Sequence, residues 1–67
     1  MTIELNGEHV DLGEGARVID AVARSGAADA RGVAVAVEGE VVPRGDWERT
    51  VLRDGQSVEV VAAIQGG

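Results

Sequence analysis

Sixty-seven residues suit a single domain, and a chain of this length buries only about 60% of the surface its unfolded form exposes, so no deep catalytic cleft is expected. Twelve acidic residues stand against six basic ones, all arginine, for a net charge of −6; this disfavours nucleic acid and anionic membranes, whose phosphates would be repelled rather than neutralised. The absence of cysteine excludes a disulfide, a thiolate metal site and a sulfur nucleophile supplied by the chain itself.

Thr2-Ile3-Glu4-Leu5 and Glu8-His9-Val10-Asp11-Leu12 both alternate polar and apolar residues, and Asn6-Gly7 between them is a strong hairpin turn. A period of two then places Ile3, Leu5, Val10 and Leu12 on a buried face, with Glu4, Glu8 and Asp11 toward water. The first residues lack a basic segment followed by an apolar one, and no apolar run reaches membrane-spanning length, so the expected location is cytoplasmic.

After Gly13-Glu14-Gly15, the residues Val18, Ile19, Val22 and Ala23 recur at helical spacing, predicting an amphipathic helix from Ala16 to Ser25 stopped by Gly26. Neither Ala16 nor Arg17 offers the side-chain acceptor an N-cap requires, so a frayed first turn is expected. Val33-Ala34-Val35-Ala36-Val37, bounded by Gly32 and Gly39, reads as a strand inside the sheet. Glu40-Val41-Val42 forms a short strand ended by Pro43, Arg44-Gly45-Asp46 and Arg53-Asp54-Gly55 are turns, and Ser57 to Ile64 is the final strand.

Hairpin, helix, strand, short strand and final strand define an α+β fold. One helix packs on one face of a mixed four- or five-stranded sheet, the first and last strands are parallel neighbours, and the arrangement is of the ubiquitin-like β-grasp type. The whole of residues 1–67 forms one domain, with a flexible tail at 65–67.

The tail carries the functional signal. The sequence closes on Gly66-Gly67 directly after the apolar run that ends at Ile64-Gln65. Two residues without a Cβ make a slender, mobile end that can enter a channel any side chain would block, so Gln65, Gly66 and Gly67 are the candidate threading segment and the Gly67 carboxylate the candidate reactive group.

The residues Ile3-Glu4-Leu5-Asn6-Gly7-Glu8, Gly32-Val33-Ala34-Val35-Ala36-Val37, Val41-Val42-Pro43-Arg44 with Trp47, Asp54-Gly55 and Val58 through Gly67 together resemble the ThiS family of sulfur carrier proteins. The resemblance covers nearly the whole chain. It departs at Arg17, where members often carry Thr, in a helix built on Ile19, Ala21, Val22 and Ala23 rather than on Leu, and at Glu38-Gly39, where Asn or Asp suits a positive φ better.

The resemblance implies a co-substrate and not an enzyme. A ThiF-like adenylyltransferase would use MgATP to activate Gly67, since a bare carboxylate resists nucleophilic attack. A persulfide derived from a cysteine desulfurase would convert Gly67 to a thiocarboxylate, and a ThiG-like thiazole synthase would accept the sulfur for thiazole phosphate. The chain itself would bind no cofactor and no metal. Alternatives are a carrier for another pathway, such as the MoaD-like one of molybdopterin, and a ubiquitin-like protein modifier.

Partners must dock on a chain without a pocket. If Val58, Val60, Ala62 and Ile64 alternate toward the helix, Val61 and Ala63 emerge on the opposite face near Ala34 and Ala36. The candidate interface is therefore Ala34, Ala36, Glu59, Val61 and Ala63, with Ile64 at the strand end and Glu4 on the rim. His9 reads as a surface residue, Trp47 as a plug at one edge of a thin core, and Glu38 with Glu40 as a solvated turn.

Overall fold

The computed structural model describes residues 1–27 and 31–62. Its elements are β1 (Thr2–Leu5), β2 (Glu8–Asp11), α1 (Val18–Ser25), β3 (Val33–Val37), β4 (Glu40–Val41), a 3₁₀ turn (Arg44–Asp46) and β5 (Ser57–Ala62). They form one five-stranded sheet in the order β2-β1-β5-β3-β4. Every connection is antiparallel except β1 with β5, which is parallel, with Glu4 opposite Ser57 and Leu5 opposite Val58. The expected pairing of first and last strands is thus present, and it puts β5, rather than β3, in the middle of the sheet.

Alternation decides the two faces. Ile3 and Leu5 from β1, Val35 from β3, and Val58 and Val60 from β5 are buried together with Val18, Ala21 and Val22 of α1, so the helix covers one face. Trp47 and Leu52 close the same core. Val10 and Leu12 reach it only as half-buried residues, because β2 is an edge strand that ends at Asp11. Trp47 is buried as expected and its indole Nε1–H donates to the Val42 carbonyl at 2.9 Å, while the Arg44 guanidinium lies 4.9 Å from the ring centroid.

The helix begins two residues later than its periodicity suggests, and its first turn is closed rather than frayed. The Asp20 carboxylate accepts from the Arg17 backbone N–H at 2.8 Å. Distant carbonyls take the next two donors: Val18 N–H donates to Thr50 O at 2.9 Å and Ile19 N–H to Trp47 O at 3.1 Å. The segment after the 3₁₀ turn therefore caps α1 in place of a side chain at Arg17, whose guanidinium has no acceptor to offer. Ala21, not Ala23, lies on the buried side, since Ala23 is exposed. At the other end Gly26 takes φ 84° and stops the helix as expected.

Both hairpin turns place two consecutive residues at positive φ, Asn6 (51°) with Gly7 (84°) and Glu38 (51°) with Gly39 (82°). Each sends its first side chain to the backbone of β5. Glu38 is an unfavourable residue for this conformation, yet its carboxylate accepts from Ser57 N–H at 2.9 Å while its own N–H donates to Ser57 O at 2.9 Å. Val42, expected within the short strand, lies just beyond β4 and donates its N–H to Val35 O at 2.8 Å.

Candidate functional site

Gln65, Gly66 and Gly67, and with them Ala63 and Ile64, lie outside the described residues. The described residues include the strand that precedes them, β5. β5 runs between β1 and β3, so the strand that leads to the tail has a paired neighbour on each side. Its start is set by the Asp54-Gly55 turn: the Asp54 carboxylate accepts from Thr2 N–H at 2.8 Å and Gly55 N–H donates to Thr2 O at 2.7 Å. Its far end pairs with β3 through Val61 opposite Ala34 and Ala62 opposite Val33.

The face away from α1 brings together Ala34, Ala36, Glu59 and Val61, the described members of the expected interface. Ala34 sits opposite Val61, and Ala36 sits between Glu59 on one side and Val41 on the other. Val61 is 61% exposed and Glu59 and Ala34 are exposed, with Ala36 half-buried. Across β1, Glu4 pairs with Ser57 on one side and His9 on the other, so the patch passes from apolar at β4 to polar and acidic at β2.

Val41, at 74% exposure, belongs to this patch and was missed from sequence. The signal was present: a two-residue turn at Glu38-Gly39 pairs Val37 with Glu40 and hence Ala36 with Val41, which puts both on the open face. Asn6 was read only as a turn residue. Its Oδ1 accepts from Val60 N–H at 2.8 Å and its Nδ2 donates to Val60 O at 3.2 Å.

The described open face is a sheet surface of exposed valine and alanine bordered by acidic side chains. His9 is exposed and stands across from Glu4, and among the described residues no three His, Cys, Asp or Glu side chains gather as a metal would require. No described helix is long and apolar enough to cross a membrane.

A mixed five-stranded sheet with one helix across one face, its first and last strands parallel neighbours, defines a ubiquitin-like β-grasp domain. The model of the ThiS family matches residues 1–67, and the chain belongs to that family, which supports a sulfur carrier role. Two solved structures of a thiamine biosynthesis protein from Geobacter metallireducens are similar to it. The crystal structure of that protein, named ThiS, is 29% identical with a TM-score of 0.79, and the match covers 100% of both chains. The NMR solution structure is 32% identical with a TM-score of 0.80, covering 100% of this chain and 88% of the other. No curated protein matches the chain significantly.

Proposed function

We propose that this protein carries sulfur on the Gly67 carboxyl group as a thiocarboxylate and delivers it for thiazole formation in thiamine biosynthesis. The observation that carries this reading is the ThiS-family match running through Gly67, at the end of the chain segment that follows the middle strand of the sheet.

A carboxylate is a poor electrophile, because its charge resists attack and oxide does not leave. An adenylyltransferase partner therefore joins the Gly67 carboxylate to the α-phosphate of MgATP, expelling pyrophosphate, with the metal offsetting charge between the approaching anions. A persulfide from a cysteine-derived donor then attacks the Gly67 carbonyl and displaces AMP, and cleavage of the S–S bond by a thiol leaves the thiocarboxylate. Gly67 has no side chain to stand in the line of approach to its carbonyl, and glycine at position 66 permits backbone conformations barred to other residues, as threading a narrow channel requires. Thiazole synthase removes the sulfur and returns the carboxylate, so the chain is a co-substrate.

Docking of both enzymes falls to the open face. Val41, Ala34, Ala36 and Val61 supply the apolar contact, and Glu4 and Glu59 the acidic rim for a basic groove.

The test is the intact mass of the protein after incubation with adenylyltransferase, MgATP and sulfur donor, with and without thiol alkylation. A species heavier by the difference between sulfur and oxygen, mapped to the peptide ending at Gly67, is expected. Its absence under these conditions, or isopeptide adducts of Gly67 on lysines of other proteins, would overturn the carrier reading. Transfer of the sulfur to a pterin acceptor instead of thiazole would overturn the thiamine assignment alone.

A further inference from the structure

We propose that Asn6 is a positioning residue for the tail: its side-chain amide clamps Val60 and thereby sets the direction in which β5 leaves the sheet toward Gly67. The β1–β5 ladder stops short of Val60. Glu4 N–H donates to Gln56 O and Asn6 N–H to Val58 O, both at 2.9 Å, the even spacing of a parallel ladder. The next rung on this side would use the N–H and C=O of Val60, but β1 ends at Leu5 and the chain turns away through Asn6 and Gly7 at positive φ.

The side chain of Asn6 replaces the missing rung. A primary amide carries an acceptor and a donor in one plane, as a strand's peptide groups present them, and both are used on the same residue: Oδ1 accepts from Val60 N–H and Nδ2 donates to Val60 O. Turn and clamp require each other. Asn is among the few residues with a side chain that tolerate φ 51°, and that conformation carries the amide to β5, 54 positions away in sequence.

The consequence falls on the tail. On the β3 side, β5 stays paired through Ala62. On the β1 side Val60 is the last residue held among those described, and only by Asn6. Without that hold the described end of β5 is kept by β3 alone, so the point from which the chain runs on toward Gly67 is less sharply fixed. Misplacement of a reacting group by about 1 Å lowers a rate severely even where binding is untouched.

Two variants separate the clamp from the turn. Asn6→Gly keeps a residue that accepts positive φ and deletes the amide. Gly7→Ala keeps the amide and strains the turn, since Gly7 sits at φ 84° with open space around it. Amide hydrogen exchange of the full chain by NMR is the first readout. In Asn6→Gly, Val60 N–H should lose about tenfold in protection beyond any loss at Val22 in the helix core, which reports global opening. In Gly7→Ala the two should fall together. Equal losses at Val60 and Val22 in Asn6→Gly would overturn the clamp.

The second readout, which rests on the reading of Gly67 as the adenylated end, is pyrophosphate exchange by the adenylyltransferase. Asn6→Gly should lower kcat by about three- to tenfold with the KM for the carrier unchanged, because the docking face is intact. A raised KM at constant kcat would make Asn6 a docking contact and overturn the positioning role. Failure of the unaltered chain to support exchange would sink the adenylation reading, while hydrogen exchange at Val60 would still decide the clamp.

Discussion

The two faces of the sheet are built from the same few residue types and serve opposite ends. Under α1, Val35, Val58 and Val60 are buried in the core; on the open side, Val41 and Val61 are largely exposed beside Ala34 and Ala36. A valine's role here is decided by its parity along the strand and not by its chemistry. A period of two thus gives a small domain one face for its core and leaves the other open, provided the register is held firmly.

Valine truncation breaks this comparison most directly. Val58→Ala on the covered face should destabilise the fold by about 2–3 kcal/mol in urea unfolding, through lost transfer energy and an unfilled cavity. Val61→Ala, three residues along the same strand, should stay within about 0.5 kcal/mol of the unaltered protein. Similar losses at both positions would mean that the open face is packed in solution and that the division is false.

Val61→Asp sharpens the same contrast toward function. It adds charge at an exposed site, so stability should change little. On the docking proposed above, the adenylyltransferase and thiazole synthase should each bind about tenfold or more weakly, because the center of an interface tolerates a desolvated, unpaired carboxylate poorly. Unaltered affinity for both enzymes, measured by calorimetry, would move docking to another surface.

Much of this division is legible in the sequence. The alternation of Ile3 and Leu5, of Val58 and Val60, and the Asn6-Gly7 turn fix register with local information alone. The start of α1 is not legible, because its first donors are taken by Thr50 O and Trp47 O, carbonyls brought there by tertiary structure. Asn6 escaped for a different reason: its turn propensity fully accounts for its presence, so nothing local suggests a second task at Val60. Val41 needed one further step, the register across Glu38-Gly39. Asp20 tests the capping account. Asp20→Ala removes the acceptor for Arg17 N–H and should lower stability by about 1 kcal/mol, whereas a loss well below that would mean the loop carbonyls suffice.

The smallest expected effect lies at Glu38 and weighs turn propensity against a tertiary bond. Asn is the favoured residue for the first position of such a turn, so local propensity alone makes Glu38→Asn stabilising by a few tenths of a kcal/mol. Glu38, however, reaches Ser57 N–H at the start of β5, a charge-assisted hydrogen bond that the shorter Asn side chain does not span. The site is exposed, which holds that bond to the lower end of its range, and a net destabilisation of about 0.5 kcal/mol is expected. Urea unfolding of Glu38→Asn and Glu38→Gly measures the balance. If Asn stabilises, the turn governs and Glu38 is a tolerated misfit; if both variants lose stability, the two hairpin turns act alike, each giving up its side chain to hold one end of the strand that leads to Gly67.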